Sequence, residues 1–182
     1  LVGDGVLGLI PDQARCYDVG KEAGHHSVTQ EQINRILIDE ARQGHKVVRL
    51  KGGDPFLFGR GGEELETLRA ADIPCEVVPG VSSAIAVPAY AGIPVTHRDY
   101  ASSFHVIAGH AREGSGLDIE YSALAKLGGT LVFLMGLGAL PDLCQELVAA
   151  GMPADTPAAV IERGASARQR RVDGTLASLE TR

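Results

Sequence analysis

The chain contains no tryptophan, and only 4% of its 182 residues are aromatic. An interior of ordinary density must then be filled with aliphatic side chains. Long apolar runs are missing too: no stretch of 18 uncharged apolar residues occurs, which excludes a membrane-spanning helix of the usual kind. No basic segment followed by an apolar run and small residues opens the sequence, so a secretory leader is not expected. Cysteine is scarce. Cys16, Cys75 and Cys144 are odd in number, far apart and without a C-x-x-C pair, which predicts reduced thiols, two of them packed as small apolar groups. Positive charge is also short, with a net charge of −6, which argues against binding nucleic acid or membrane by bulk charge. Together these absences predict a cytoplasmic protein with no nucleic-acid and no membrane partner.

What is abundant is glycine. There are 23, against a usual share of roughly 7%, and they cluster at the ends of apolar runs instead of repeating. With 45% hydrophobic and 22% charged residues, the composition is that of a globular protein. The length fits one large domain or two small ones sharing a cleft. The sequence opens on Leu1, in mid-pattern, and closes on TLASLETR where an apolar strand would continue. Both termini are therefore expected to be truncated.

Residues 47–64, VVRLKGGDPFLFGRGGEE, concentrate the information. A β-branched run, Val47 to Leu50, stops at Gly52-Gly53, the pattern of a buried strand emptying into a tight loop. Glycine there allows positive φ and leaves no Cβ between backbone and ligand. Asp54 precedes Pro55, which restricts it to extended backbone. Glu63 and Glu64 suit the positive first turn of a helix that carries Leu65, Leu68 and Ala71. The segment is either a βα turn of an ordinary α/β protein or a ligand loop. It is not a phosphate-binding P-loop, because Lys51 precedes the glycines and no Lys-Ser/Thr follows them. The dinucleotide spacing G-x-G-x-x-G fails as well, since Gly59 and Gly61 are followed by Glu64. A nucleoside held here would be held without a pyrophosphate, as an adenosyl group would be.

Along the rest of the chain, short apolar runs alternate with helical patterns. Strands are predicted at 16–19, 47–50 and 76–78. Thr29 and Gln32 form a capping box for a helix carrying Ile33, Ile36, Leu37 and Ala41 and ending at Gly44. A second helix covers 62–71, and Ser82 caps a third over Ala84 to Ala91. Further on, strands at 104–108, 130–134, 158–162 and 168–176 alternate with helices at 121–127 and 139–150, with a polar excursion at 113–116. The alternation predicts an α/β fold with a parallel-rich sheet and helices on both faces. The expected organisation is an N-terminal α/β domain over 1–92, a linker over 93–103 (the polar, aperiodic IPVTHRDYASS), and a C-terminal α/β domain over 104–182.

Four segments, GKEAGHHSVTQEQIN, KGGDPFLFGRGGEE, VVPGVSSAIAVPAYAGIPVTHRDYASS and FLMGL, occur in register over nearly the whole chain. In them the sequence resembles the tetrapyrrole methylase family, and most of all its uroporphyrinogen-III C-methyltransferase branch. The resemblance implies two α/β domains with the active site in the cleft between them, a homodimer, and S-adenosyl-L-methionine bound in a folded conformation, with no metal. It implies methylation of uroporphyrinogen III at two ring carbons, giving precorrin-2 for sirohaem and cobalamin. Gly52, Gly53 and Asp54 would receive the methyl donor, with Leu57 packed behind it. Ser82 and Ser83 would touch it, and Met135 and Gly164 would complete its contacts. Lys21, in Val-Gly-Lys, matches the family's proton donor. Two family features have no counterpart here: an opening G-x-G-P-G-D strand–loop, and an aspartate just upstream of the pair matching Leu1-Val2. The chain therefore reads as a fragment. The alternatives are a methylase acting on a later corrin precursor, on diphthamide or on ribosomal RNA, and a non-catalytic fragment that only binds the donor.

Methyl transfer from a sulfonium is mainly a positioning problem, and bare backbone with one carboxylate suits the positive sulfur. Asp54 has a second reading, as a cap on its own turn. Lys21, if desolvated, would serve acid–base chemistry through a lowered pKa; a solvated lysine after a strand is the plainer reading. A substrate with eight carboxylates needs local positive charge. His25, His26, Arg60, His97, Arg98 and His110 all fall in expected strand-end loops. Of these, His97 and above all Arg60 and Arg98 are the candidates for substrate contact, because arginine binds carboxylates bidentately. His25-His26 lacks metal-ligand spacing and a third ligand. Arg163, Arg168, Arg170 and Arg171 read as a solvated strand face, and Ser102-Ser103 beside His105 lacks a nucleophile-elbow sequence.

Overall fold

The computed structural model describes residues 2–20, 28–110 and 118–179. Lys21, His25, His26 and the excursion at 113–116 lie outside the described residues. The chain divides into two compact units, Leu1–Val81 and Ser82–Arg182.

The first unit is built on helices: α1 (Asp4–Leu7), α2 (Gln30–Arg42) and α3 (Gly61–Ala70). The Thr29 hydroxyl accepts from the Gln32 amide at 3.2 Å, and the Gln32 side chain accepts from the Thr29 amide at 2.8 Å. This reciprocal box satisfies two amides that the first turn leaves without partners. One face of α2 buries Ile33 and Leu37 and half-buries Ile36 and Ala41. The meeting of α2 with α3 is polar. Asn34 Nδ2 donates to Thr67 Oγ1 at 3.1 Å, and Gln30 Nε2 donates to Asn34 Oδ1 at 3.0 Å and to Glu64 Oε1 at 3.1 Å.

Three expected strands of this unit, 16–19, 47–50 and 76–78, are not strands; no β-strand occurs among its described residues. A β-branched run favours an extended backbone, but a strand exists only where a neighbour pairs with it. Among the described residues neither 47–50 nor 76–78 has such a neighbour, and Val48 and Val78 are 76% and 75% exposed. The cysteine expectation is also corrected: Cys144 is buried, while Cys16 and Cys75 are exposed.

The second unit follows the sequence pattern closely. Helix α4 (Ser83–Tyr90) leads to β1 (Phe104–Ala108), α5 (Tyr121–Leu127), β2 (Thr130–Leu134), α6 (Leu140–Ala149), β3 (Pro157–Glu162) and β4 (Arg170–Thr175). Strands β1 and β2 pair in parallel from Phe104–Thr130 to Ala108–Leu134. Strands β3 and β4 form a separate antiparallel pair, so the sheet is less parallel-rich than the alternation predicts. The core gathers Cys144, Leu147 and Leu176, flanked by Tyr121, Leu124, Leu131 and Phe133. It is aliphatic at its centre, as the scarcity of aromatics requires. Between α4 and β1, His97 and Ala101 exchange backbone hydrogen bonds of 2.8 and 2.9 Å and close a tight turn. No helix among the described residues is long and apolar enough to cross a membrane.

Candidate functional site

In the first unit, the candidate residues Gly52, Gly53, Asp54, Leu57 and Arg60 lie on one loop running into α3. Several ties fix it. The Asp54 carboxylate accepts from the Phe56 amide through Oδ1 at 2.9 Å and from the Gly80 amide through Oδ2 at 3.1 Å. These backbone donors, Gly80 foremost, hold the Asp54 carboxyl below its ordinary range, with Leu57 adding a smaller contribution. Gly53 has φ +93°, a left-handed value that favours glycine. Gly80 has no room for a side chain: a Cβ there would overlap the Gly53 carbonyl, its carbon only 2.8 Å away. Further along, the Gly61 amide donates to the Pro55 carbonyl at 3.0 Å, and a Cβ on Gly59 would come within 2.7 Å of the same oxygen. Phe58 and Arg60 turn the loop at φ +53° and +57°.

The base of the loop is held by a group that its sequence does not advertise. Glu64 is 5% exposed, more buried than its neighbour Leu65. Its carboxylate accepts from Lys51 Nζ at 3.0 Å, Arg49 Nε at 3.2 Å and Gln30 Nε2 at 3.1 Å. Burial pushes its pKa up, but hydrogen bonds from Lys51 and Gln30 and the charges of Arg49 and Lys51 outweigh it, leaving the carboxyl below its usual range. The sequence reading places Glu64 only as an acid suited to the positive first turn of the helix. A spacing of four from the half-buried Leu68 puts Glu64 on the inward side of α3, the signal in the sequence that could have revealed it. Arg60 itself makes a fork with Glu63, Nε to Oε1 at 2.9 Å and Nη2 to Oε2 at 2.5 Å.

In the second unit, Ser82 caps α4 by accepting from the Ala84 amide at 3.1 Å, and Ser83 begins the helix. Met135 and Gly164 follow the ends of β2 and β3. Met135 is at φ +61° and Arg163, just before Gly164, at φ +51°. Such conformations in non-glycine residues are uncommon and concentrate at ligand sites. Gly164 lies against Val87 of α4, and a Cβ there would fall 2.8 Å from the Val87 Cβ. At the end of β1, the Gly109 amide donates to the Leu134 carbonyl at 2.7 Å, bringing the Gly109-His110 and Met135-Gly136 turns together. His97 is occupied: its Nδ1 accepts from the Asp99 amide at 3.1 Å and its ring tilts over Tyr100 at 4.8 Å. Arg98, on the same turn, is exposed and has no polar partner among the described residues. No group of three His, Cys, Asp or Glu among the described residues is placed to hold a metal ion.

The arrangement can present bare backbone to a ligand in the first unit and strained strand-end turns in the second. Known proteins resemble the chain in sequence and in fold. "Siroheme synthase 2" of Serratia proteamaculans is 54% identical over 181 residues, covering 100% of this chain and 38% of that protein. "Porphyrin biosynthesis protein HemD" of Ruminiclostridium josui is 53% identical over 180 residues, covering 99% of this chain and 36% of that protein. The chain thus spans well under half the length of these curated relatives. Among solved structures, uroporphyrin-III C-methyl transferase from Thermus thermophilus, complexed with S-adenyl homocysteine, is 40% identical with a TM-score of 0.72, over 84% of this chain and 66% of that one. A cobalt precorrin-4 methyltransferase, 26% identical, superimposes with a TM-score of 0.75 over 87% of this chain and 65% of that one. The family model for Tetrapyrrole (Corrin/Porphyrin) Methylases matches residues 2–180, and the chain belongs to that family.

Proposed function

We propose that this chain is the methylating part of a protein of sirohaem and cobalamin synthesis, transferring methyl groups from S-adenosyl-L-methionine to two ring carbons of uroporphyrinogen III to give precorrin-2. The observation that carries the reading is the glycine loop. Gly52 and Gly53 are side-chain-free and held in shape by Asp54, in a chain 40% identical to a Thermus enzyme solved with S-adenyl homocysteine.

In each transfer an electron-rich pyrrole carbon attacks the sulfonium methyl. A carbon–carbon bond forms as the carbon–sulfur bond breaks, its electron pair goes to sulfur, and a ring proton is then shed. The protein's part is alignment and the exclusion of water. We assign Gly52, Gly53, Asp54 and Leu57 of the first unit, and Ser82, Ser83, Met135 and Gly164 of the second, to the donor. Lys21, outside the described residues, is assigned to proton transfer on its motif alone. For the acidic tetrapyrrole the assignment is Arg98, with Arg60 and His97. Support is strongest at Arg98, whose guanidinium has no polar partner among the described residues, whereas Arg60 must exchange Glu63 for a substrate carboxylate. The same resemblance supports a cytoplasmic homodimer that needs no metal.

The test is to incubate the full-length protein with uroporphyrinogen III and S-adenosyl-L-methionine and to follow products by absorbance and mass. Precorrin-2 with two added methyls is expected; absence of any methylated tetrapyrrole overturns the reading.

A further inference from the structure

The donor-binding reading gives Asp54 a direct contact with the ligand, yet its carboxylate is turned onto the protein's own backbone. One oxygen takes the Phe56 amide at 2.9 Å and the other the Gly80 amide at 3.1 Å, 26 residues away. Gly80 answers with its missing side chain. Its bare α-carbon lies so close to Gly53 that a Cβ would overlap the Gly53 carbonyl oxygen and approach the Asp54 amide nitrogen to 3.2 Å. Gly53, at φ +93°, is thereby held between the Asp54 turn on one side and Gly80 on the other. Two hydrogen bonds converge on the Asp54 side chain, and the steric approach falls on the Gly53–Asp54 peptide just before it.

We propose that Asp54 and Gly80 form a latch that sets the Gly52-Gly53 backbone in its ligand-accepting shape, so that the Asp54 carboxylate acts on an adenosyl ligand through the backbone and not through its charge. Gly80 is on this account a positioning residue, tied to the loop without touching the ligand. The inference rests on the donor-binding reading, and it predicts a pattern that direct contact does not. A carboxylate facing the sulfonium would favour the cationic S-adenosyl-L-methionine over the neutral thioether S-adenosyl-L-homocysteine. A latch favours both alike.

Both ligands are titrated calorimetrically into the full-length protein and into its Asp54→Asn and Gly80→Ala variants, with hydrogen exchange followed at the Gly80 amide. The expected result is a roughly tenfold or greater weakening for both ligands in both variants, with the ratio of the two dissociation constants unchanged. In Asp54→Asn the Gly80 amide should exchange faster while the amides of α2 keep their protection, which separates the latch from general loss of fold. Selective loss of the cationic ligand in Asp54→Asn overturns the proposal, as does wild-type affinity in Gly80→Ala. If the wild-type protein binds neither ligand, the donor reading fails. The exchange rate at Gly80 still decides whether the latch exists, and an unaltered rate in Asp54→Asn overturns it.

Discussion

Lys51 Nζ donates to Glu64 Oε2 at 3.0 Å, joining the residue before the glycine loop to the helix that follows it. Arg49 reaches the other oxygen at 3.2 Å, so one buried carboxylate answers two cations. Replacing Glu64 by Gln would leave both cations in place with no anion to compensate them. We expect a loss of about 3 kcal/mol, at the low end for a broken buried pair because the Arg49 side chain is 28% exposed. Urea unfolding of the full-length protein measures it. A double-mutant cycle with Lys51→Met should show coupling between the two sites.

The same carboxylate makes stability pH-dependent. Its folded pKa lies below the unfolded value of about 4.5. Ionised Glu64 therefore stabilises the fold above that value, and the contribution is lost as pH falls through the folded pKa. The urea midpoint of the wild type should fall more steeply than that of Glu64→Gln on acidification from about pH 6 to about pH 3. Parallel curves would remove Glu64 as the source.

Gly164→Ala should destabilise the second unit by about 1–3 kcal/mol, since the stiff β-branched Val87 cannot rotate away from the added methyl. Shortening the neighbour in the double variant Gly164→Ala, Val87→Ala should recover part of that loss. Thermal melts of the four proteins close the cycle.

Arg98→Ala should leave stability within about 0.5 kcal/mol of wild type, as expected for an exposed side chain with no polar partner among the described residues. Its effect should fall on the tetrapyrrole, with KM raised roughly fivefold, equivalent to about 1 kcal/mol. The KM for the methyl donor should not move. The opposite pattern would reassign the residue.

Legibility in the sequence divided along local and non-local lines. The Thr29–Gln32 box, the Ser82 cap and the strands of the second unit were readable because capping and periodicity act over a few residues. Segments 47–50 and 76–78 misled because their β-branched residues state a preference, and pairing needs a partner that preference does not supply. The reading of Asp54 as a cap on its own turn matches its bond from the Phe56 amide, but its second bond was not legible, because it depends on the Gly80 amide 26 residues away. Left-handed backbone at Met135, Arg163 and Ala165 left no trace, because these residue types do not announce positive φ as glycine does. Buried Glu64 was masked by its place beside Glu63, where an acid at a helix start needs no further explanation.

The two strand pairs of the second unit differ in how soon their turns can exist. Strands β3 and β4 are joined through 163–169, a short antiparallel reversal, whereas β1 and β2 pair in parallel across a crossover containing α5. Local contacts form first, and distant ones wait on loop closure. During folding, the turn bearing Gly164 is thus expected to be in place before the one bearing Met135. A substitution that slows the β1–β2 crossover would delay Met135 and leave Gly164 on schedule.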